Sequence, residues 1–237
     1  MTKPDKRARV GKNIIDRLGC DICQDAFDDG GTLPNEADLA LRYGVSRTVI
    51  REALNVVQSK GLISRKARVG TTINARDSWN ILDEQVLTWL GDTIDDTDLL
   101  ASVIEARRLI EPAAAAKAAT RAELSEIAAL EDAWRAMAAA GDNRAGFIAA
   151  DITFHQILLK ASHNRVFQQL GTALQAATRF GLRQSGHAAR DLDDAIATHG
   201  ALVEALRLRD AAGASRITEQ LLDLALRDLA RPNPPPA

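Results

Sequence analysis

Residues 33–63, LPNEADLALRYGVSRTVIREALNVVQSKGLI, constrain this chain more than any other stretch. Two short helical patterns meet there at a glycine, and a close crossing through a tight turn is the geometry that suits them. Ala40, Gly44 and Ile50 stand at the spacing of a helix-turn-helix. Ala40 is small enough for the two helices to cross closely. Gly44 can take the positive φ that the turn needs, and Ile50 packs back on the first helix. Asn35 and Ser46 are placed to cap the two helices, because their side-chain oxygens can accept from free backbone N–H groups. The first turn of the second helix in such a motif is the part that reaches base edges. Here that turn offers Ser46, Arg47, Thr48 and Arg51, which points to a reader of double-stranded DNA.

The flanks extend this pattern. Val10, Ile14, Leu18, Ile22 and Phe27 recur with helical period over residues 8–27, and Asp28, Asp29, Gly30 and Gly31 end that helix. Beyond Lys60 and Gly61 the period changes, and residues 62–66 and 69–73 read as two short strands around a basic turn. That is the wing of a winged helix. Arg65, Lys66 and Arg68 would lie near phosphate, with Gly70 allowing close backbone approach; the alternative is a hairpin whose charges meet only water. Cys20 and Cys23 form a C-x-x-C, readable as a metal or redox pair or as two small core residues among Ile14, Ile15, Leu18 and Ile22. The sequence has no second Cys pair and no nearby His, which favours the core reading.

Charge divides the chain in the same place. Residues 1–76 hold 14 Lys and Arg against 9 Asp and Glu, while the remainder holds 16 against 23, giving the net charge of −2. A basic front and an acidic back suit a nucleic-acid module joined to something else. Few aromatics and short β-branched runs make helix the default for the rest. No apolar run approaches the roughly 20 residues that span a bilayer. The N-terminal MTKPDKRARVGKN is charged and lacks the apolar region of a secretory signal, so a cytoplasmic protein with no membrane contact is expected.

The expected fold is mainly α. A winged helix-turn-helix of three helices and a small β-wing occupies residues 1–76, a helical connector residues 77–98, and an all-helical bundle residues 99–231, with residues 232–237 as a disordered tail. Trp79, Leu82, Val86, Leu87, Trp89 and Leu90 give the connector enough apolar surface for a short helix bridging the domains. Helices are expected at about 99–118, 121–140, 143–161, 164–184, 190–208 and 211–230, with Gly141, Asp142, Ser162, His163, Asn164, Gly186, Arg209 and Asp210 at the breaks.

Polar residues at apolar positions mark the bundle's chemistry. At ~100° per residue, Phe147 and Leu158 fall near ~0–20° and Ile148 and Leu159 near ~100–120°, with Asp151 and His155 between them. Thr153, Gln156 and Lys160 point the other way. His199 lies within the stripe formed by Leu192, Ile196, Leu202, Val203 and Leu206. Unpaired, such inward groups would be costly. Asp151, His155 and His199 can therefore be read as ligands for zinc, nickel or manganese, or as buried groups satisfying one another by hydrogen bonds. Arg107 faces inward beside Val103, Ile110 and Ala114, either to clamp an anionic ligand or to pair with Asp151. Arg227 follows Gln220 by seven residues on one edge of the last helix.

These residues together resemble the GntR family of bacterial transcription regulators, in its FadR subfamily with a helical FCD effector domain. The resemblance runs through residues 33–63, the wing at 65–73, EARRLIEPAAAAKAA, DITFHQILLKASHN and THGALVEALRLRDAAGA, nearly the whole chain in order. It implies a homodimer that binds operator DNA through Ser46, Arg47, Thr48, Arg51 and Gly70. Ala37 stands where some members carry a DNA-contacting arginine, which implies a different site preference. It also implies a small carboxylate or acyl effector in the helical domain. Asp151, His155 and His199 match three ligands of the family's Asp-and-three-His metal pattern, and the fourth falls at about Gln220, a weak ligand. Water or effector oxygens would complete the sphere, or the effector binds without metal.

The segment RDSWNILDEQVLTWL, followed by the Arg107 helix, is most similar to members that sense sugar acids. That implies an aldonate such as galactonate, met by Arg107, Asp151, His155, His199, Gln220 and Arg227. The leading expectation is a repressor of sugar-acid catabolism, released from its operator when the effector binds. The competing expectations are a regulator of another carboxylate or acyl metabolite, and a metal-dependent enzyme acting on a sugar acid. The sequence shows no nucleophile with its base and no phosphate-binding loop, so no catalytic residue is assigned.

Overall fold

The apolar stripe near the N-terminus forms α1 (Lys6–Cys23), with Ile14, Leu18, Ile22 and Cys23 buried. The helix ends before Phe27, where the periodicity alone would have carried it, because Asp25 takes a positive φ of 56°. The computed structural model describes residues 6–27, 31–66, 70–91, 97–184 and 192–230. Asn35 opens α2 (Glu36–Tyr43), its Oδ1 accepting from the N–H groups of Ala37 at 2.9 Å and Asp38 at 3.1 Å. Gly44 closes that helix with φ +67°. Ser46 then caps α3 (Arg47–Ser59), accepting from the Val49 N–H at 3.5 Å. Ile50 is fully buried, as the crossing of the two helices requires.

Gly61, at φ +82°, turns the chain out of α3 into β1 (Ile63–Lys66), which pairs antiparallel with β2 (Gly70–Ile73). Ile63 faces Ile73 and Lys66 faces Gly70 across the ladder. The segment before α2 joins the same sheet: Leu33 N–H donates to Thr71 O at 2.9 Å, and Ile73 N–H to Gly31 O at 2.6 Å. The tip of the wing, residues 67–69, lies outside the described residues.

The connector does not stand free. Asp83 caps α4 (Glu84–Leu90) by accepting from the N–H groups of Gln85 and Val86, and its other oxygen pairs with Lys60 at 2.6 Å. α4 packs on α1, where Asp16 Oδ1 accepts from Trp89 Nε1 at 3.1 Å and from Gln85 Nε2 at 2.9 Å. Gly19 makes room for the indole, since a Cβ there would come within 2.2 Å of the Trp89 ring. Trp79, Val86, Leu87, Trp89 and Leu90 are buried, and Leu82 is not. The residues up to 94 thus form one compact unit that includes most of the connector, and residues 95–237 form another.

The second unit is helical throughout its described residues: α5 (Thr97–Arg121), α6 (Leu124–Ala139), α7 (Arg144–Ala161), α8 (Arg165–Gln184), α9 (Leu192–Arg207) and α10 (Ala211–Ala230). Their ends fall within a few residues of those expected from periodicity. α5 contacts α7, α8, α9 and α10, and α6 contacts α7 and α9. The small faces of Ala114, Ala115, Ala118 and Ala119 let the neighbours of α5 approach closely. Phe154, Leu158, Leu130, Leu202 and Leu206 fill the centre, and Leu100, Ile104, Leu222 and Leu229 seal α5 against α10. Among the described residues no helix is long and apolar enough to cross a membrane.

Candidate functional site

In the first unit, the described residues expected to meet nucleic acid lie on α3, at its N-cap and on the wing. Ser46, Arg47 and Thr48 are exposed in the opening turn of α3. Arg51 is exposed too, but its guanidinium is held: Nη2 donates to Glu36 Oε2 at 2.7 Å and Nε to Oε1 at 3.1 Å. That hydrogen bond lowers the Glu36 carboxyl below its ordinary range, with Arg65 and Arg47 adding to the effect. Arg65 Nη1 donates to Asn55 Oδ1 at 3.0 Å, while Lys66 points to solvent. Gly70 is exposed with φ +102°, a backbone conformation that a side chain would strain. Arg68 lies outside the described residues.

Cys20 and Cys23 are free thiols in the packing of α1. Burial, with Cys20 adding to it, pushes the Cys23 thiol up to about 12. A thiol so hard to ionise is a poor metal ligand or redox centre.

In the second unit, α5, α7 and α8 enclose a cleft of roughly 310 Å³, part of it open to solvent. Arg107, Glu111, Asp151, His155, Gln156, Gln175 and Thr178 are among the residues lining it. Arg107 and Glu111 are buried one turn apart on α5, with Nε donating to Oε1 at 2.6 Å. Glu111 Oε2 lies 2.7 Å from His155 Nδ1. The contact lacks the alignment of a full hydrogen bond, so charge accounts for the pairing. Burial works to raise the Glu111 carboxyl, but the Arg107 and His155 charges overcome it and hold it at about 2. Burial likewise opposes a charged His155, yet Glu111 raises it to about 9, with Asp151 assisting and Arg107 opposing.

His199 approaches Asp151 and His155 from α9. Its Nδ1 is 2.8 Å from Ala195 O, and a carbonyl can only accept, so Nδ1 carries the proton. Its Nε2 faces Asp151 Oδ1, 3.3 Å away, where it finds no hydrogen bond. His155 Nε2 stands 3.7 Å from the same oxygen. The three ligand atoms of Asp151, His155 and His199 all lie within 4.8 Å of one another. Burial would raise the Asp151 carboxyl, but the two imidazoles hold it well below the carboxylate range. Both outer ring nitrogens thus meet acceptors, Glu111 and Ala195 O, and both inner ones converge on a carboxylate. The three groups could hold a metal ion.

The structure brings together Arg107, Asp151, His155 and His199 and leaves Gln220 and Arg227 elsewhere. Both are exposed on α10, and neither lines the cleft. α10 turns Thr218, Leu221 and Leu222 inward instead, and Thr218 Oγ1 donates to its own helix at Ala214 O. Arg107 takes Glu111, not Asp151, as its ion-pair partner. Sequence reasoning passed over Glu111 as a site residue, although its position four residues after Arg107 on one helix face was the available signal. Gln156, read as pointing away, reaches the rim of the cleft and hydrogen bonds to Gln175 of α8. A single helix's projection carries no signal for a neighbour packed at its edge. His163 pairs with Glu126 at 2.8 Å between α6 and the end of α7.

Two profiles match the chain: "Bacterial regulatory proteins, gntR family" over residues 11–73 and "FCD domain" over residues 102–224. The chain is 34% identical to the galactonate operon transcriptional repressor of Escherichia coli over 91% of its own length and 95% of that protein's. It is 26% identical to the HTH-type transcriptional repressor NanR of Escherichia coli, over 94% and 85% of the two lengths. A solved structure of a Streptococcus agalactiae GntR superposes with a TM-score of 0.50 at 25% identity, covering 92% of this chain and 99% of that one. The two Escherichia coli relatives are transcriptional repressors.

Proposed function

This chain belongs to the GntR family of bacterial regulatory proteins, with an FCD domain behind its DNA-binding domain; from that premise we propose that it represses sugar-acid catabolism genes and leaves its operator when an aldonate such as galactonate binds the cleft. The observation that carries this reading is the buried Arg107 guanidinium lining a cleft whose wall also holds Asp151 and His155. A carboxylate suits the guanidinium, which presents paired donors. Hydroxyls of the same ligand suit Asp151, Gln156 and Gln175, which are among the residues lining the cleft. The similarity to a galactonate operon repressor along nearly its whole length supports the same ligand class.

On the DNA side, Ser46, Arg47, Thr48 and Arg51 read base edges and adjacent phosphates, while Arg65, Lys66, Arg68 and Gly70 follow the backbone. Two copies present paired readers to two half-sites, the usual arrangement for this motif. Effector binding shifts the operator equilibrium only by its difference in affinity for the bound and released states.

Asp151, His155 and His199 fit a divalent ion of the zinc, nickel or manganese class. The donor set is one carboxylate oxygen and two imidazole nitrogens, one of them a buried atom without a hydrogen bond. Such an ion would supply a Lewis-acidic point for a carboxylate or hydroxyl oxygen of the effector. Ala195 O faces the outer nitrogen of His199, leaving its Nε2 turned inward, and Glu111 Oε2 faces the outer nitrogen of His155. Gln220, being exposed, is left out of the set.

The test combines thermal denaturation with operator binding. Galactonate, gluconate, simple carboxylates and acyl compounds are added to the full chain, with and without chelator, and binding to DNA from its own upstream region is followed by fluorescence anisotropy. An aldonate that stabilises the protein and releases the DNA is the expected result. Stabilisation by a different carboxylate or an acyl compound, with aldonates inert, would replace the sugar acid in this reading.

A further inference from the structure

Glu111 is 3% exposed, and its carboxylate is shared between two partners. Oε1 accepts from Arg107 Nε at 2.6 Å, and Oε2, which also accepts from Arg107 Nη2 at 3.4 Å, lies 2.7 Å from His155 Nδ1. Arg107 lines the cleft, and His155 turns its other nitrogen toward Asp151 and His199. The anion-binding and cation-binding halves of the site therefore meet at one buried carboxylate. Stability alone asks for less: an Arg–Glu pair one turn apart is complete with two members, and a backbone carbonyl serves the outer nitrogen of His199.

We propose that Glu111 is a positioning residue coupling the two halves: a carboxylate taken up at Arg107 strengthens the hold of Asp151, His155 and His199 on a divalent cation. A guanidinium that donates to an incoming carboxylate holds Glu111 less tightly. Glu111 is then freer to accept from His155 Nδ1–H, and an imidazole so held is a stronger ligand at Nε2. Because binding free energies are linked, cation uptake must tighten carboxylate binding by the same factor. Direct attraction between anion and cation acts in the same direction but does not pass through Glu111. The inference rests on the effector reading above.

Zinc is titrated into the full chain alone, with saturating acetate and with saturating galactonate, for the wild type, Glu111→Gln and Glu111→Asp. Acetate tests a bare carboxylate, so coupling is measurable whether or not the effector is a sugar acid. The aspartate variant keeps the charge but is one methylene short, so it serves one partner at a time. The expected result is that carboxylate tightens zinc binding about tenfold in the wild type. In both variants that factor falls to about threefold or less while zinc still binds.

In ¹⁵N spectra of the zinc-loaded wild type, the His155 Nδ1 resonance moves when acetate is added and the His199 Nδ1 resonance does not. Equal coupling in wild type and variants overturns the inference, as does an unmoved His155 resonance. Coupling with acetate but none with galactonate leaves Glu111 in its role and removes the sugar-acid reading. A wild type that binds no zinc overturns the inference. Should Glu111→Gln fail to fold, the aspartate variant and the wild-type spectra decide.

Discussion

Arg107 and Glu111 are buried together one turn apart on α5, joined by a 2.6 Å hydrogen bond from Nε to Oε1. Taking both charges out of water costs several kcal/mol per ion, which their attraction offsets only while both are present. Arg107→Ala leaves His155 as the charged partner of Glu111 and should destabilise the second unit by about 3 kcal/mol. Arg107→Lys keeps a charge but not the planar fork, and should weaken carboxylate binding more than it weakens the fold. Chemical denaturation and calorimetric titration with galactonate separate the two effects.

The His155 imidazole sets a pH signature that metal should reverse. Its pKa in the folded, metal-free chain is raised to about 9 from an ordinary 6.5. The stability that this contributes is fully present below about 6.5 and is lost as pH rises through about 9. Glu111, held at about 2, contributes above its ordinary 4.5 and loses that contribution as pH falls toward 2. Chelated protein should therefore lose thermal stability between pH 6.5 and 9. Zinc binding needs deprotonated imidazoles, so zinc-treated protein should hold its stability over that window. Melting curves by circular dichroism, with and without chelator, check both; coincident curves would count against a metal at Asp151, His155 and His199.

On the DNA side, Arg47 and Lys66 should behave differently. Arg47→Ala is expected to cost about 1–3 kcal/mol of operator affinity and to relax base preference. Lys66→Ala should weaken all sequences alike and reduce the salt slope by about one. Anisotropy titrations at several salt concentrations read both. An Arg47→Ala variant with unchanged operator affinity would remove α3 as the recognition helix.

Gly61 offers a test of the fold independent of either site. It sits at φ +82°, and an added Cβ would come within 2.3 Å of Ser78 O. Gly61→Ala should cost about 1–3 kcal/mol for the backbone conformation alone, with the clash adding to it. Urea denaturation followed by Trp fluorescence measures it, and a wild-type midpoint would mean that the turn rearranges without strain.

The local chemistry of the reader was legible because each device is written within a few residues. Asn35, Gly44 and Ser46 do in the structure what their side chains, or lack of one, suggest. Helix ends in the second unit were legible for a similar reason, since Asn143 and Asp210 cap helices through their side chains. Inward-facing Asp151, His155 and His199 could be found from helical period, because burial follows the helix face. What period cannot give is which faces meet. Gln220 and Arg227 share an edge of α10, but that edge faces solvent, because Thr218, Leu221 and Leu222 take the packed side. Gln156 belongs to the cleft only because α8 lies alongside α7. Glu111 was in plain sight one turn from Arg107, yet its second partner comes from α7, 44 positions along the chain.

The packing of α4 on α1 decides how short a freestanding reader can be. Gly19 is shaped to receive the Trp89 ring, and Asp16 accepts from both Trp89 and Gln85. A fragment cut after the wing, at residue 76, would carry the notch without its occupant and Lys60 without Asp83. An autonomous DNA-binding fragment should therefore extend to about residue 91, fifteen residues beyond that cut.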